Sequence, residues 1–282
     1  MNRPGPNVTG PAGGRYEVMC TVSLPLSAVS IRHRSIRRAS WSDELEHSRR
    51  RLVERCERER RPLLTSADGS LLPLYRLDAI AECSESSLVL ATSATDYAEY
   101  MLTNLEHPEW RTERGAEVMS DPLGVSAVVR TADSVVLVGR RSGRPHDAPG
   151  ALHVVPSGHP HPPQSVGAAL ETELRDELGL AMQEISDASI TGVLRAQPSG
   201  KPEVTARFVA TLDSDHVLER WEQAEERWEY EVIETVPWEP DVVADWLVQH
   251  IFTCVPPGHG AIALAGRVEF GPDWYESFLK SR

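Results

Sequence analysis

The chain has 282 residues, 40% of them apolar by type, and a formal net charge of −13. That length holds one large domain or two modest ones with a real core, and the acidic balance excludes a general nucleic-acid binder, which needs a basic surface. Cys20, Cys56, Cys83 and Cys254 are far apart with no CxxC pair, which excludes a disulfide framework or a zinc site.

No signal-peptide pattern opens the chain and no apolar run approaches membrane-spanning length, so a soluble, cytoplasmic protein is expected. Residues 1–14 are rich in Pro, Gly and Asn and are expected to be disordered. "YEVMCTVSLPL" reads as a strand. Residues 32–61 then carry eleven arginines and six acids. From Ser42 they read as a helix that stops before Pro62, a solvated surface with many i,i+4 ion pairs. "LLPLYRLDAIAEC" and "SSLVLATSA" read as strands joined by "SES". "TDYAEYMLTN" reads as a short helix capped by Thr95 or Asp96. Tyr97, Tyr100 and Trp110 are candidates for stacking on a base, with core packing the blander alternative. The polar segment 106–124 holds an expected domain boundary, which divides a β-rich 15–115 from 116–282.

Beyond it, "GVSAVVRTADSVVLVGRRS" predicts a hairpin. "ALHVVPSG" is a short strand, and a helix spans 165–178. "SITGVLRAQ", "VTARFVATL" and "YEVIETVPW" are strands; helices follow at about 214–226 and 240–252 and at "GAIALAGRV". Strands and helices mixed without strict alternation predict an α/β (α+β) fold around a mixed sheet.

The chemistry concentrates in "VVPSGHPHPPQSVGAALETELRDELGL". On a helix, Glu173, Asp176 and Glu177 share an arc of about 100°. Leu170, Leu174 and Leu178 form the adjacent core-facing ridge, and Gly179 stands where a left-handed C-terminal residue is needed. Three hard carboxylates at this density suit Mg²⁺, or Mn²⁺ as a substitute. Arg140 and Arg141 end a strand, so only one of them faces a given side, and a guanidinium fork suits a diphosphate.

This segment resembles the Nudix box: Gly, five residues, Glu, seven residues, then Arg-Glu-U-x-Glu-Glu-x-Gly-U, where U is bulky and aliphatic. Gly158, Glu173, Leu174, Glu177, Gly179 and Leu180 match, and Asp176 keeps a carboxylate. Gln164 and Thr172 replace the family's Glu and Arg, a paired loss that leaves no unpaired buried charge. "TDYAEYMLTN", "DPLGVSAVVRTAD", "DAPGALHVVPSGHPHP" and "PPGHGAIALAGRV" further resemble the UDP-glucose/UDP-galactose pyrophosphatase branch, with His161 departing from that branch's Glu.

The resemblance implies a Nudix α/β/α sandwich over 116–282, preceded by a smaller β-rich domain. It implies a Mg²⁺-dependent pyrophosphohydrolase that cleaves UDP-glucose or UDP-galactose to UMP and sugar 1-phosphate, with no nucleic-acid or membrane partner. Glu173, Asp176 and Glu177 would be the metal ligands, with Glu173, Glu177 and Glu203 as the catalytic acids. By their chemistry, one of Arg140 and Arg141, together with Lys201, Gly158 and His159, would contact substrate. Alternatives are another nucleoside diphosphate derivative such as ADP-ribose, or a non-catalytic Nudix-fold binder. The acids of "WEQAEERWEYEVIE" read as a wet face.

Overall fold

The computed structural model describes residues 8–9, 15–37, 40–60, 63–65, 69–143 and 148–280. The disorder expected over 1–14 therefore falls outside the described residues, apart from the two-residue strand β1 (Val8–Thr9).

β2 (Tyr16–Pro25), β3 (Val29–Arg37) and α1 (Asp43–Glu59) are followed by β4 (Pro73–Cys83) and β5 (Leu88–Asp96). α2 (Tyr97–Tyr100) continues as π-helix through Glu106, and α3 (Trp110–Glu113) follows. The cap of α2 is Asp96, which accepts from the Glu99 N–H at 2.9 Å. Next come β6 (Gly124–Arg130), β7 (Val135–Arg141), β8 (Leu152–Val154), β9 (Ser157–Gly158) and α4 (Val166–Leu178). β10 (Ile185–Ala196), β11 (Pro202–Ala210), α5 (Ser214–Trp221), β12 (Tyr230–Pro237), α6 (Pro240–Gln249), α7 (Pro256–Phe270) and α8 (Pro272–Lys280) complete the chain.

Among the described residues nine strands form one sheet, in the order β1-β2-β10-β11-β6-β7-β12, with β8 on β7 and β9 on β6. β11 and β6 run parallel and the other pairs antiparallel, so the sheet is mixed as expected. β3, β5 and β4 form a second, three-stranded sheet. β6 shows why the large sheet is sandwiched. Val125, Ala127 and Val129 point into a core shared with Leu170, Leu174 and Leu178 of α4 and with Leu77, Leu88 and Leu90 of the small sheet. Val128 points the other way, into a core with Leu247, Ile262, Leu264 and Phe278 of the C-terminal helices. A strand buried on both faces reads as a continuous apolar run, as "GVSAVV" does.

Two features differ from expectation. Tyr16–Pro25 lies in the large sheet beside β10, and apart from β1 and β2 that sheet is drawn from beyond residue 115. The stretch 106–124, read as a polar linker, is packed. Its Asp121, 3% exposed, accepts from Asn104 Nδ2 and Arg195 Nη1, each at 2.8 Å, and from Arg111. Asn104 also donates to the Ser199 carbonyl at 2.7 Å. A buried carboxylate attracts this many donors because each relieves part of its desolvation, and the result fastens the helical segment to the β10–β11 turn.

Three arginines of α1 form ion pairs, Arg50 with Glu46 along the helix and Arg49 with Asp96 and Arg55 with Glu106 across to the segment that follows β4. Among the described residues no disulfide forms, and no helix is long and apolar enough to cross a membrane.

Candidate functional site

α4 has clear start and stop signals. Ser165 caps it by accepting from the Ala168 N–H at 3.1 Å, and Gly179 ends it at φ 66°. Leu170, Leu174 and Leu178 are fully buried, which fixes the helix's rotation. The same rotation turns the three acids toward β9 and the loop before β12.

They fare differently there. Glu173 lies against Gly158 so closely that a Cβ at 158 would overlap its carboxyl group and stand 2.9 Å from its Cγ. Glu177, 1% exposed, accepts the Ser157 N–H at 3.2 Å through Oε2, while its buried Oε1 has no hydrogen-bond partner. Asp176, half-buried, pairs with Arg175 at 2.8 Å. Gln164 and Thr172 do not meet. Gln164 Oε1 accepts the His161 N–H at 3.3 Å and Thr172 donates to the Ala168 carbonyl at 3.0 Å. Tyr75, from the small sheet, donates to the Gln164 carbonyl at 3.0 Å and so holds the loop where the charged pair is missing.

A cavity of about 930 Å³ opens here, lined by Glu173, Gly158, Ser157, Glu226, Glu229 and Arg141, among others. Glu226 and Glu229 are what the sequence reading missed. The loop that bears them is tied to α4 by the Glu226 N–H, which donates to the Asp176 carbonyl at 2.8 Å. The signal was present in the density of acids just before a buried tyrosine, Tyr230, but a wet face gives the same pattern.

Burial first, and then crowding, make these acids hard to ionise. Burial, then Glu226, Glu229 and Asp176, push Glu173 up from 4.5 to about 8. Burial, then Glu229 and Glu173, hold Glu177 well above the carboxylate range, opposed by Arg141 and the Ser157 N–H. Burial, Glu229, Asp176 and Glu225 push Glu226 up to about 7. Burial raises Glu229 as well, against the pull of Arg141.

The remaining expected residues separate. Arg141 lines the cavity; Arg140 turns away and pairs with Glu234 at 3.0 Å. Lys201 and His159 line the cavity. Glu203 is fully buried, pairs with Lys201 at 3.2 Å and does not line the cavity. Tyr97 and Tyr100 line the cavity beside His159, with ring centroids 6.4 and 6.2 Å from it. Trp110 stacks on His107 instead, at 4.3 Å.

Among the described residues, no three His, Cys, Asp or Glu side chains converge as a ready metal-ligand set. The donor chemistry nevertheless suits a hard divalent cation. The buried, unpartnered Glu177 Oε1 and the mutual repulsion of Glu173, Glu226 and Glu229 are what such a cation relieves.

No family model matches the chain. It is 34% identical over 178 residues to the uridine diphosphate glucose pyrophosphatase NUDT22 of Mus musculus, covering 53% of this chain and 58% of that protein. It is 25% identical over 179 residues to Nudix hydrolase 9 of Arabidopsis thaliana, covering 52% and 57%. Among solved structures it is similar to a bifunctional NMN adenylyltransferase/ADP ribose pyrophosphatase from Francisella tularensis in complex with AMP and a manganese ion. That likeness has a TM-score of 0.37 and 12% identity over 63% of this chain and 50% of that one. The chain spans little more than half the length of these two curated relatives. Over that span the chain is similar in sequence to Nudix hydrolases, which bears out the resemblance carried by residues 154–180.

Proposed function

We infer that the chain is a divalent-metal-dependent pyrophosphohydrolase of the Nudix type that cleaves a UDP-sugar, UDP-glucose or UDP-galactose, to UMP and sugar 1-phosphate. One observation carries the reading: buried Glu177 with an unpartnered oxygen, among half-buried Glu173, Glu226 and Glu229 whose pKa values burial and mutual repulsion raise, beside a cavity that also presents Arg141 and Lys201. The cavity volume of about 930 Å³ suits a nucleotide sugar. The sequence likeness to proteins named as UDP-glucose pyrophosphatases supports the substrate class.

Glu173, Asp176 and Glu177 would hold Mg²⁺, or Mn²⁺ in its place, within a domain over 116–282 completed by β2. Bound there, the cation would polarise phosphoryl oxygens and lower the pKa of a water for in-line attack. The chain's own part is positioning. Gly158 lets β9 approach Glu173, and the Ser157 N–H fixes one oxygen of Glu177, leaving the other for a ligand. Arg141 sits where its fork can take a diphosphate oxygen while its charge keeps Glu177 and Glu229 more acidic. Tyr97, Tyr100 and His159 form a wall of rings suited to a base or sugar.

Incubation with Mg²⁺ and a panel of nucleotide sugars, followed by separation of products, tests this. UMP from UDP-glucose or UDP-galactose is expected. AMP from ADP-ribose alone would move the substrate class. The open arrangement of the acids favours one other reading, a non-catalytic binder, whose sign is ligand-induced thermal stabilisation without product.

A further inference from the structure

The geometry points to an anion subsite in this cavity, formed by Arg141, Lys201, His153, His159 and the first turn of α7, which takes the substrate phosphate farther from the carboxylates. It rests on reading the cavity as a diphosphate site and assigns where the second phosphate lies.

β8 brings His153 into place. The Leu152 N–H donates to the Thr253 carbonyl at 2.9 Å, and the Val255 N–H donates to the Leu152 carbonyl at 2.8 Å. This lacing sets His153, 4% exposed, against the start of α7, where its Nδ1 is 3.1 Å from the position of a Cβ on Gly258. Glycine at 258 therefore admits the ring, and "PPGHG" gains a structural reason. Pro256 and Pro257, at the start of this helix of 15 residues, also line the cavity; neither carries an N–H, so the helix adds the positive end of its dipole there and no donor.

Two buried ring nitrogens here, His153 Nδ1 and His159 Nε2, have no hydrogen-bond partner. Both rings line the cavity, and burial together with the charges of Arg141 and Lys201 keeps them neutral. Arg141, Lys201 beside its partner Glu203, and two neutral imidazoles, each with one N–H to donate, match the two non-bridging oxygens of one substrate phosphate. The carboxylate side repels such a group unless a metal ion intervenes. The diphosphate is thus divided, one phosphate toward the acids and the other held by the cations and imidazoles.

Calorimetry of the full chain in EDTA, titrated with inorganic phosphate, tests the subsite without any need for turnover. Saturable 1:1 binding is expected, weakened at least fivefold in His159→Gln and further in the double variant with His153→Gln. Circular dichroism and melting establish that each variant is folded. Should the double variant not fold, His159→Gln decides, because His159 lies in a loop. Absence of phosphate binding, or equal binding by folded His159→Gln, overturns the subsite. If UDP-glucose is cleaved while phosphate binding ignores His159, only the subsite falls. If no nucleotide sugar is cleaved but phosphate binds through His159, the substrate reading falls and the subsite stands.

Discussion

Gly158 and Glu173 are in such close register across β9 and α4 that the backbone of one occupies the space beside the carboxyl group of the other. A methyl group at 158 has to push Glu173 aside. In Gly158→Ala the fold should survive, because Glu173 is a flexible side chain. Hydrolysis should fall about a hundredfold, since a displacement of about 1 Å at a ligand costs that much. Steady-state rates beside a melting curve check this; an active, folded Gly158→Ala would show that the contact is incidental.

The crowded acids make a prediction about pH. A Glu that titrates near 4.5 when unfolded and at about 8 when folded contributes its full stabilisation, relative to its ionised state, below about 4.5. That contribution is lost as pH rises through 8. Gln at 173 cannot ionise. Metal-free Glu173→Gln should therefore gain on the parent protein as pH rises from about 5.5 to 8.5, by about 5 °C in Tm. The buried histidines titrate alike in both proteins and cancel in the difference. Magnesium should raise the parent's Tm more at the higher pH, where the carboxylates are ionised. A Tm difference that shrinks with pH would contradict the assignment.

Asp121 makes a separate prediction about stability. Its carboxylate accepts from Arg111, Arg195 and Asn104, tying the 104–121 segment to the turn before β11. Asp121→Ala leaves two partly buried guanidinium groups without their acceptor and should cost about 3 kcal/mol. That corresponds to a Tm lower by about 5 °C, measured by calorimetry. A shift under 2 °C would mean that water replaces the carboxylate at no cost.

Local signals carried much of this structure. Ser165, the leucine ridge and Gly179 define α4 to within one residue of its expected ends, because caps and periodicity are properties of adjacent residues. The strand "GVSAVV" was legible for the same reason. Pairing between distant strands was not, and β2 lies beside β10, some 170 residues away, through a register with no local trace. The acidic site divides the same way. Glu173, Asp176 and Glu177 share one helix and could be read from spacing, whereas Glu226 and Glu229 arrive on a loop placed by a backbone bond to Asp176. Arg141 and Arg140 were indistinguishable until the pairing of β7 with β12 gave Arg140 its partner Glu234. Glu203 illustrates the reverse case, an acid chosen by resemblance whose buried partner is Lys201.

The central claim is that the carboxylates of α4 drive cleavage of a UDP-sugar, and Glu177→Gln tests it most directly. With UDP-glucose and Mg²⁺, the parent should release UMP and glucose 1-phosphate. The variant should be folded and at least as thermostable, since a buried carboxylate is replaced by a neutral amide, yet slower by about a thousandfold, or about 4 kcal/mol of transition-state stabilisation. A folded Glu177→Gln with turnover close to the parent's, or a parent that releases no UMP, would contradict it.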